Sequence, residues 1–248
     1  MNRIEFRKHF KCVGPVVLPV IHVLDFKQTS ENIIKIIDEG APGCFLINHD
    51  FGRKEFQPIV KRIREKFPSL WLAVNFLAET GEVAFPELAK LEAEGYNIDA
   101  YWADDACIDE HGVNVEANRI AKIRKSSNWK GLYFGGTAFK KQRPVEKSLY
   151  KDAARIACDF MDVITTSGLA TGQAAELSKI GIFRKAIGDG ALALASGVTA
   201  ENIMDYSDVD CFMVATGINY EDNFYEIDPL KLARILKICR NIGLGEII

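Results

Sequence analysis

No stretch of this 248-residue chain is apolar for long enough to cross a bilayer. The longest apolar runs, Val16–Ile21 and Ala191–Ala195, fall far short of the roughly 20 residues that a membrane helix needs. Charge of one sign is also lacking: 31 Lys and Arg stand against 34 Asp and Glu, for a net charge of −3. No global field therefore draws the chain onto nucleic acid or an acidic membrane, although a small anion held locally remains compatible. The six cysteines (Cys12, Cys44, Cys107, Cys158, Cys211, Cys239) form no C-x-x-C pair. Several lie inside apolar runs, which suits buried free thiols in a reducing cytoplasm better than a zinc site or disulfides. The opening MNRIEFRKHFKC is basic but leads into no signal-peptide core. The expectation is a cytoplasmic protein whose residues 1–13 form a leading segment packed under the domain. The chain also lacks a Walker loop, an H-E-x-x-H and a G-x-S-x-G motif. Gly188, Gly190 and Ala193 fit G-x-G-x-x-A, but they precede a strand instead of opening a helix after one. No Gly/Pro/Ser linker interrupts the chain, so residues 1–248 read as one domain.

What the chain does have is alternation. Its composition, 48% hydrophobic and 26% charged, is that of an ordinary globular protein, and a chain of this size can bury a large core without metals or bridges. Strands are expected at Val16–Val23, Cys44–Asn48, Trp71–Leu77, Ala100–Ala103, Gly131–Phe134, Asp162–Thr166, Ala191–Ala195 and Cys211–Ala215. Most are nearly continuous apolar runs, as parallel strands covered on both faces should be. Amphipathic stretches separate them. In SENIIKIIDEG, Ser30 is the expected cap, Ile33, Ile34 and Ile37 the apolar face, and Gly40 the stop. In EFQPIVKRIREKFP, Phe56, Ile59, Val60, Ile63 and Phe67 share a side, with Pro58 expected in the first turn. DPLKLARILKICRNI has Asp228 as cap and Pro229 as first helical residue. Regular βα alternation over this length predicts an α/β fold, a single (β/α)8 TIM barrel with a closed parallel sheet. An open doubly wound sheet has the same local pattern.

In such barrels the ligand site lies on the loops after the strands. Those loops offer His22 and Asp25, then Asn48, His49 and Asp50, then Asn75 and Glu79, then Asp104 and Asp105, and then Lys140 and Lys141. The catalytic candidates are His22, Asn48, His49, Asp50, Asn75, Asp104 and Lys140. His22 also reads as a satisfied core histidine, and the lysines read either as phosphate-neutralising or as solvated. A divalent cation among Asp25, His49, Asp50, Asp104 and Asp105 is an open alternative. Helix capping is the plainer use of any single Asp, so no metal ligand and no cofactor is assigned. The last three loops, SGLATGQ, SGVTAEN and ATGI, are rich in Gly, Ser and Thr. Gly lets main-chain N–H groups approach an anion, hydroxyls add donors, and a helix start adds a favourable dipole. The phosphate-binding candidates are Ser167, Gly168, Thr171, Gly172, Ser196, Gly197, Thr216 and Gly217, with Thr199 expected to cap a helix from Ala200.

These segments together resemble the BtpA family of barrel proteins, from about residue 15 to 240. VLPVIH ends on His22, where the family has an apolar strand closing on His. EGAPGCFLINHDFG is similar to the family's G-x-D-G-x-x-x-E-N segment, and DVITTSGLATGQ to its D-x-x-x-x-T-G-x-x-T-G loop. LASGVTAENIMDYSDVDCFMVATGI is similar to its S-G-V-T-x-E-N ending. The chain departs from the pattern at Ile47 (Glu in the family), at Gly136 (Asp), at Lys141 (His) and at Ala215 (Gly), and it has no counterpart of the family's Arg and Asp after the third strand. The resemblance implies a cytoplasmic barrel. Family members are linked to photosystem I biogenesis or to sugar and nucleoside metabolism, including phosphoribosyl transfer. The expectation is an enzyme on a phosphorylated sugar or nucleotide-like metabolite, as a transferase, isomerase or lyase. The alternative is a non-catalytic assembly or regulatory factor that keeps the phosphate pocket. The expected partner is a small phosphorylated metabolite and not nucleic acid or a membrane, with self-association left open.

Overall fold

The computed structural model describes residues 1–245. Eight strands, β1 (Val16–Val23), β2 (Gly43–Asn48), β3 (Trp71–Asn75), β4 (Ala100–Ala103), β5 (Leu132–Gly136), β6 (Val163–Ser167), β7 (Ala191–Ala195) and β8 (Cys211–Val214), follow one another around a closed barrel. All pairs are parallel, and β8 closes on β1 from Val16↔Cys211 to Pro19↔Val214. The fold is the (β/α)8 barrel. Helix α1 (Arg3–Phe10) precedes it; α2 (Phe26–Asp38), α3 (Arg53–Lys66), α4 (Gly81–Ala93), α5 (Val115–Ser127), α6 (Tyr150–Ala157) and α7 (Leu177–Ile187) are crossovers, and α8 (Pro229–Leu244) ends it. Among the described residues, no helix is long and apolar enough to cross a membrane.

Strand periodicity divides the core in two. Inside the barrel, Val16, Leu18 and Val20 of β1 meet Phe45, Trp102 and Phe134, with the small Ala191, Ala193 and Ala195 of β7 completing the fill. Alternate residues such as Val17, Leu46 and Leu192 point outward and pack under the helices. Helix α1 covers the lower end: Phe6 lies 6.0 Å from Phe134 and Phe10 lies 4.9 Å from Trp71, ring centre to ring centre. Its start is fixed by a capping box in which Asn2 and Glu5 satisfy each other's main-chain N–H groups.

Several local expectations are corrected. Asp25, not Ser30, caps α2, accepting from the Gln28 N–H at 2.8 Å, while Ser30 is buried inside the helix. The buried face of α2 is Ile33 and Ile36; Ile34 and Ile37 are 43% and 45% exposed, because the helix starts earlier and its core stripe runs along a different line. Helix α3 begins at Arg53, which leaves Pro58 beyond the first turn. No α-helix starts at Ala200. A short 3₁₀ turn, Ile203–Tyr206, connects β7 to β8, because Asn202 turns back to hold the Thr199 N–H and the Gly197 carbonyl. Asp228 and Pro229 open α8 as expected, and Gly40 follows the end of α2 with φ +79°. The six cysteines are free; Cys44, Cys211 and Cys239 are buried, whereas Cys158 is exposed.

Candidate functional site

At the carboxyl ends of the strands lies a cavity of about 510 Å³, counting the space open at its mouth. Its floor is the top layer of the barrel interior: Val20, Ile47, Trp102 and Met213. The next inward position on β1 is His22, which is only 6% exposed. Its imidazole stacks on Phe224 at 3.8 Å between ring centres and lies 4.7 Å from the ring of His49. Among the described residues, neither nitrogen of His22 nor the indole N–H of Trp102 has a hydrogen-bond partner. Unmet buried groups of this kind are uncommon and mark a place where a polar ligand would be welcome. Burial, then the nearby His49 and Lys140, lower the His22 pKa to about 3, so the ring is neutral at physiological pH.

Asp104 follows β4 and is also buried, accepting from the Asn75 amide at 3.3 Å. Burial raises its pKa to about 6 against the opposing pull of Lys140 and Lys141. The next loop holds it closely: the Gln142 amide donates to the main-chain oxygens of Asp104 (3.1 Å) and Gly136 (2.6 Å). A side chain at Gly136 would run into the Asp104 carbonyl, so the Asp that the BtpA pattern has there has no room in this chain. Lys140 is anchored through its main-chain N–H to Ser167 Oγ at 2.9 Å, and its side chain enters the cavity beside that of Lys141.

The opposite wall is made by Thr171, Gly172, Ser196 and Thr216. Ser196 has φ +77°, a costly conformation for a residue with a side chain. Its hydroxyl donates to the Ala170 carbonyl at 3.0 Å and accepts from the Gly172 N–H at 3.1 Å, which ties the β7 loop to the β6 loop. Gly168, Gly197 and Gly217 do not line the cavity. Their missing side chains let the three loops touch, since a Cβ would overlap Gln173 from Gly168 or Gly197, and Val198 from Gly217. Ser167 is turned inward beneath Lys140 and donates to the Gly168 carbonyl.

Of the catalytic candidates, His22, His49, Asp104 and Lys140 meet in the cavity, and Asn75 supports Asp104 from below. Asn48 lies outside it, accepting from the Leu77 N–H and donating to the Phe51 carbonyl. Asp50 is also outside, bonded to the Tyr225 hydroxyl at 2.7 Å. Among the described residues, no group of three or more His, Cys, Asp or Glu is placed to hold a metal. The carboxylates proposed for one are dispersed: Asp25 caps α2 and Asp105 caps the Cys107 N–H. Phe224 was not recognisable as a site residue. The only signal is that it and its aromatic neighbours stand in an otherwise polar loop, INYEDNFYEID.

The two buried groups give opposite pH dependences. His22 is protonated in the unfolded chain below its ordinary 6.5 but stays neutral in the fold down to about 3, so its contribution is complete above 6.5 and declines as pH falls. Asp104 ionises near 3.8 when unfolded but near 6 when folded, so stability is lost as pH rises between those values. We expect His22→Asn to flatten the fall in melting temperature between pH 6.5 and 4.5. Asp104→Asn should instead raise melting temperature at pH 7 more than at pH 4. Parallel shifts of both variants at every pH would contradict this account.

No known family profile matches the chain, and no curated protein matches it in sequence. Solved structures do match. The structure described as native KDPGal superposes with a TM-score of 0.64 at 10% identity, covering 92% of this chain and 96% of that one. Phosphoribosyl anthranilate isomerase from Thermus thermophilus gives 0.59 at 14% identity, covering 90% and 99%. A mandelate racemase/muconate lactonizing protein from Herpetosiphon aurantiacus gives 0.57 at 13% identity, covering 90% and 62%. The chain has the TIM-barrel fold. At these identities the likeness is one of architecture, and chemistry has to be argued from the site itself.

Proposed function

We propose that the chain is an enzyme, a divergent BtpA-like barrel, acting on a phosphorylated sugar or nucleotide-like metabolite. One observation carries the reading: a single cavity has proton-transfer groups on one side and anion-suited groups on the other. His22, Asp104 and Lys140 surround the reacting part, and Lys141 with the hydroxyls of Thr171 and Thr216 takes the phosphate. A lysine supplies charge and hydroxyls supply direction, which is how a dianion is oriented without a metal. Holding the phosphate would position the rest of the molecule against the buried acid and the neutral imidazole. Asp104, held partly protonated near neutrality, is suited both to give and to take a proton, and the neutral His22 to hydrogen-bond the substrate. Phosphoribosyl transfer belongs to this class, with the pyrophosphate as the second anionic end.

Thermal shift tests it directly. Inorganic phosphate, ribose 5-phosphate and phosphoribosyl pyrophosphate should each stabilise the protein; a ligand at 100 times its Kd adds about 2.7 kcal/mol, or roughly 5 °C or more for a chain of this size. Lys141→Met and Thr171→Val should remove most of that shift while leaving the free protein's melting temperature within about 2 °C. Turnover of a phosphorylated sugar then separates the enzyme from the non-catalytic factor, which would bind without reacting. If no phosphorylated compound stabilises the protein, the reading fails.

A further inference from the structure

Two lysines are drawn out of water at the active end of the barrel, and they are used differently. Lys179 of α7 is 4% exposed and donates to the carbonyls of Ala138 (2.5 Å) and Ser167 (2.8 Å), so it is a fixed strut between two loops. Lys140 hangs from the loop that this strut supports. Among the described residues, its Nζ makes no hydrogen bond and has no carboxylate within 4.0 Å. It enters a cavity walled by Val20, Ile47, Leu77, Trp102 and Met213, with Asp104 as the buried acid. We propose that Lys140 is a nucleophilic amine that captures the carbonyl carbon of a phosphorylated aldehyde or ketone as an iminium. The proposal rests on the phosphorylated-metabolite reading for the tail of the substrate, but its chemistry stands apart from it.

A lysine becomes nucleophilic when its ammonium form is disfavoured, by an apolar site or by a second cation close by. Both conditions hold for Lys140: burial lowers its pKa, Lys141 adds to that, and Asp104 opposes it. In the first step the Nζ lone pair bonds to the carbonyl carbon while the C–O π electrons move to oxygen, which takes a proton from the Asp104 carboxyl. Nitrogen then returns a proton to the Asp104 carboxylate. The hydroxyl is protonated again by Asp104 and leaves as water as the nitrogen lone pair forms the C=N bond. The sum is a neutral amine, a carbonyl and one proton giving an iminium and water, with no oxidant or metal required. The Asp104 carboxyl, with its pKa near 6, is matched to both transfers. Lys179 cannot play this part while two carbonyls hold its ammonium.

The test is borohydride trapping on the full-length protein, with dihydroxyacetone phosphate and, separately, dihydroxyacetone as probes. We expect one reduced adduct per chain, found by intact mass and mapped to the Lys140 peptide, and dependent on borohydride. The adduct should persist in Lys151→Met, an exposed lysine of α6 outside the cavity, and be lost in both Lys140→Met and Lys140→Arg, with circular dichroism confirming that each is folded. Absence of any adduct with either probe, or adducts spread over surface lysines and unchanged in Lys140→Met, would overturn the proposal. Trapping of dihydroxyacetone on Lys140 without stabilisation by inorganic phosphate would keep the amine assignment and remove the phosphate reading. Stabilisation by phosphate with no trapping would do the reverse.

Discussion

Replacing Asp210 by alanine is expected to lower stability by about 3–5 kcal/mol, the range found when one member of a buried charge network is removed. Asp210 is fully buried just before β8, at the base of the barrel. Its Oδ1 accepts from Arg3 Nε at 3.0 Å and Arg7 Nη2 at 3.4 Å, and its Oδ2 from Arg184 Nη1 at 2.9 Å and the Leu192 N–H at 3.1 Å. One carboxylate thus joins α1, α7 and β7, while its own main chain pairs with Val16 and Leu192. Deleting it leaves three guanidinium groups converging on an apolar hole. Melting temperature should fall by roughly 6–20 °C. Asp210→Asn, which keeps an acceptor for Leu192 but no charge, should lie between wild type and alanine. Because the carboxylate itself is closed to solvent, although Arg3 and Arg7 are each 29% exposed, added salt should change only part of the difference. An Asp210→Ala protein that melts within a degree of wild type would show that the three arginines find other partners.

How far the fold was legible follows from which interactions are local. The bounds of β1, β4 and β7 agree with their apolar runs, because strands buried on both faces need no alternation to be seen. Strand β3 ends at Asn75 and not at Leu77, because the Leu77 N–H leaves the ladder for Asn48 Oδ1. Strand β5 runs on through Gly135 and Gly136, which read as loop residues. The glycines are in the strand because Asp104 and Met161 occupy the space that side chains would take. Neither feature has a signature within its own segment. Closure of β8 on β1 is likewise a long-range fact that the alternation of elements suggests but does not determine.

The site divides along the same line. His22, His49, Asp104 and Lys140 share one cavity because strand ends in a barrel converge whatever the sequence between them. Asn48 illustrates the limit of that rule. Phe45 and Ile47 face the barrel interior, so the residue after Ile47 faces outward, and its amide serves two loops instead of the cavity. The loop glycines were read as ligand contacts because Gly is needed wherever two main chains approach, and sequence does not say whether the second chain is a phosphate or another loop. Phe224 and Lys179 reach the site from distant segments through packing alone.

That ambiguity at the glycines is what Gly197→Ala and Gly172→Ala resolve as a pair. Both positions have left-handed backbone, φ +69° and φ +77°, so both variants carry the same conformational penalty, about 1–2 kcal/mol. Only Gly197 is crowded: its Cβ would meet the Gln173 carbonyl and the Ala174 N–H, whereas nothing lies within 4 Å of a Cβ at Gly172. Overpacking of this kind adds about 1–3 kcal/mol, so Gly197→Ala should lose roughly 2–5 kcal/mol against 1–2 for Gly172→Ala. Equal melting temperatures for the two would mean that the β6 and β7 loops are not in contact in solution. By the same geometry, any side chain at Gly197 would part the loops whether or not a phosphate sits between them. Gly172 borders the cavity, so its alanine variant, folded but altered at the wall, is the one whose response to phosphate reports on the ligand.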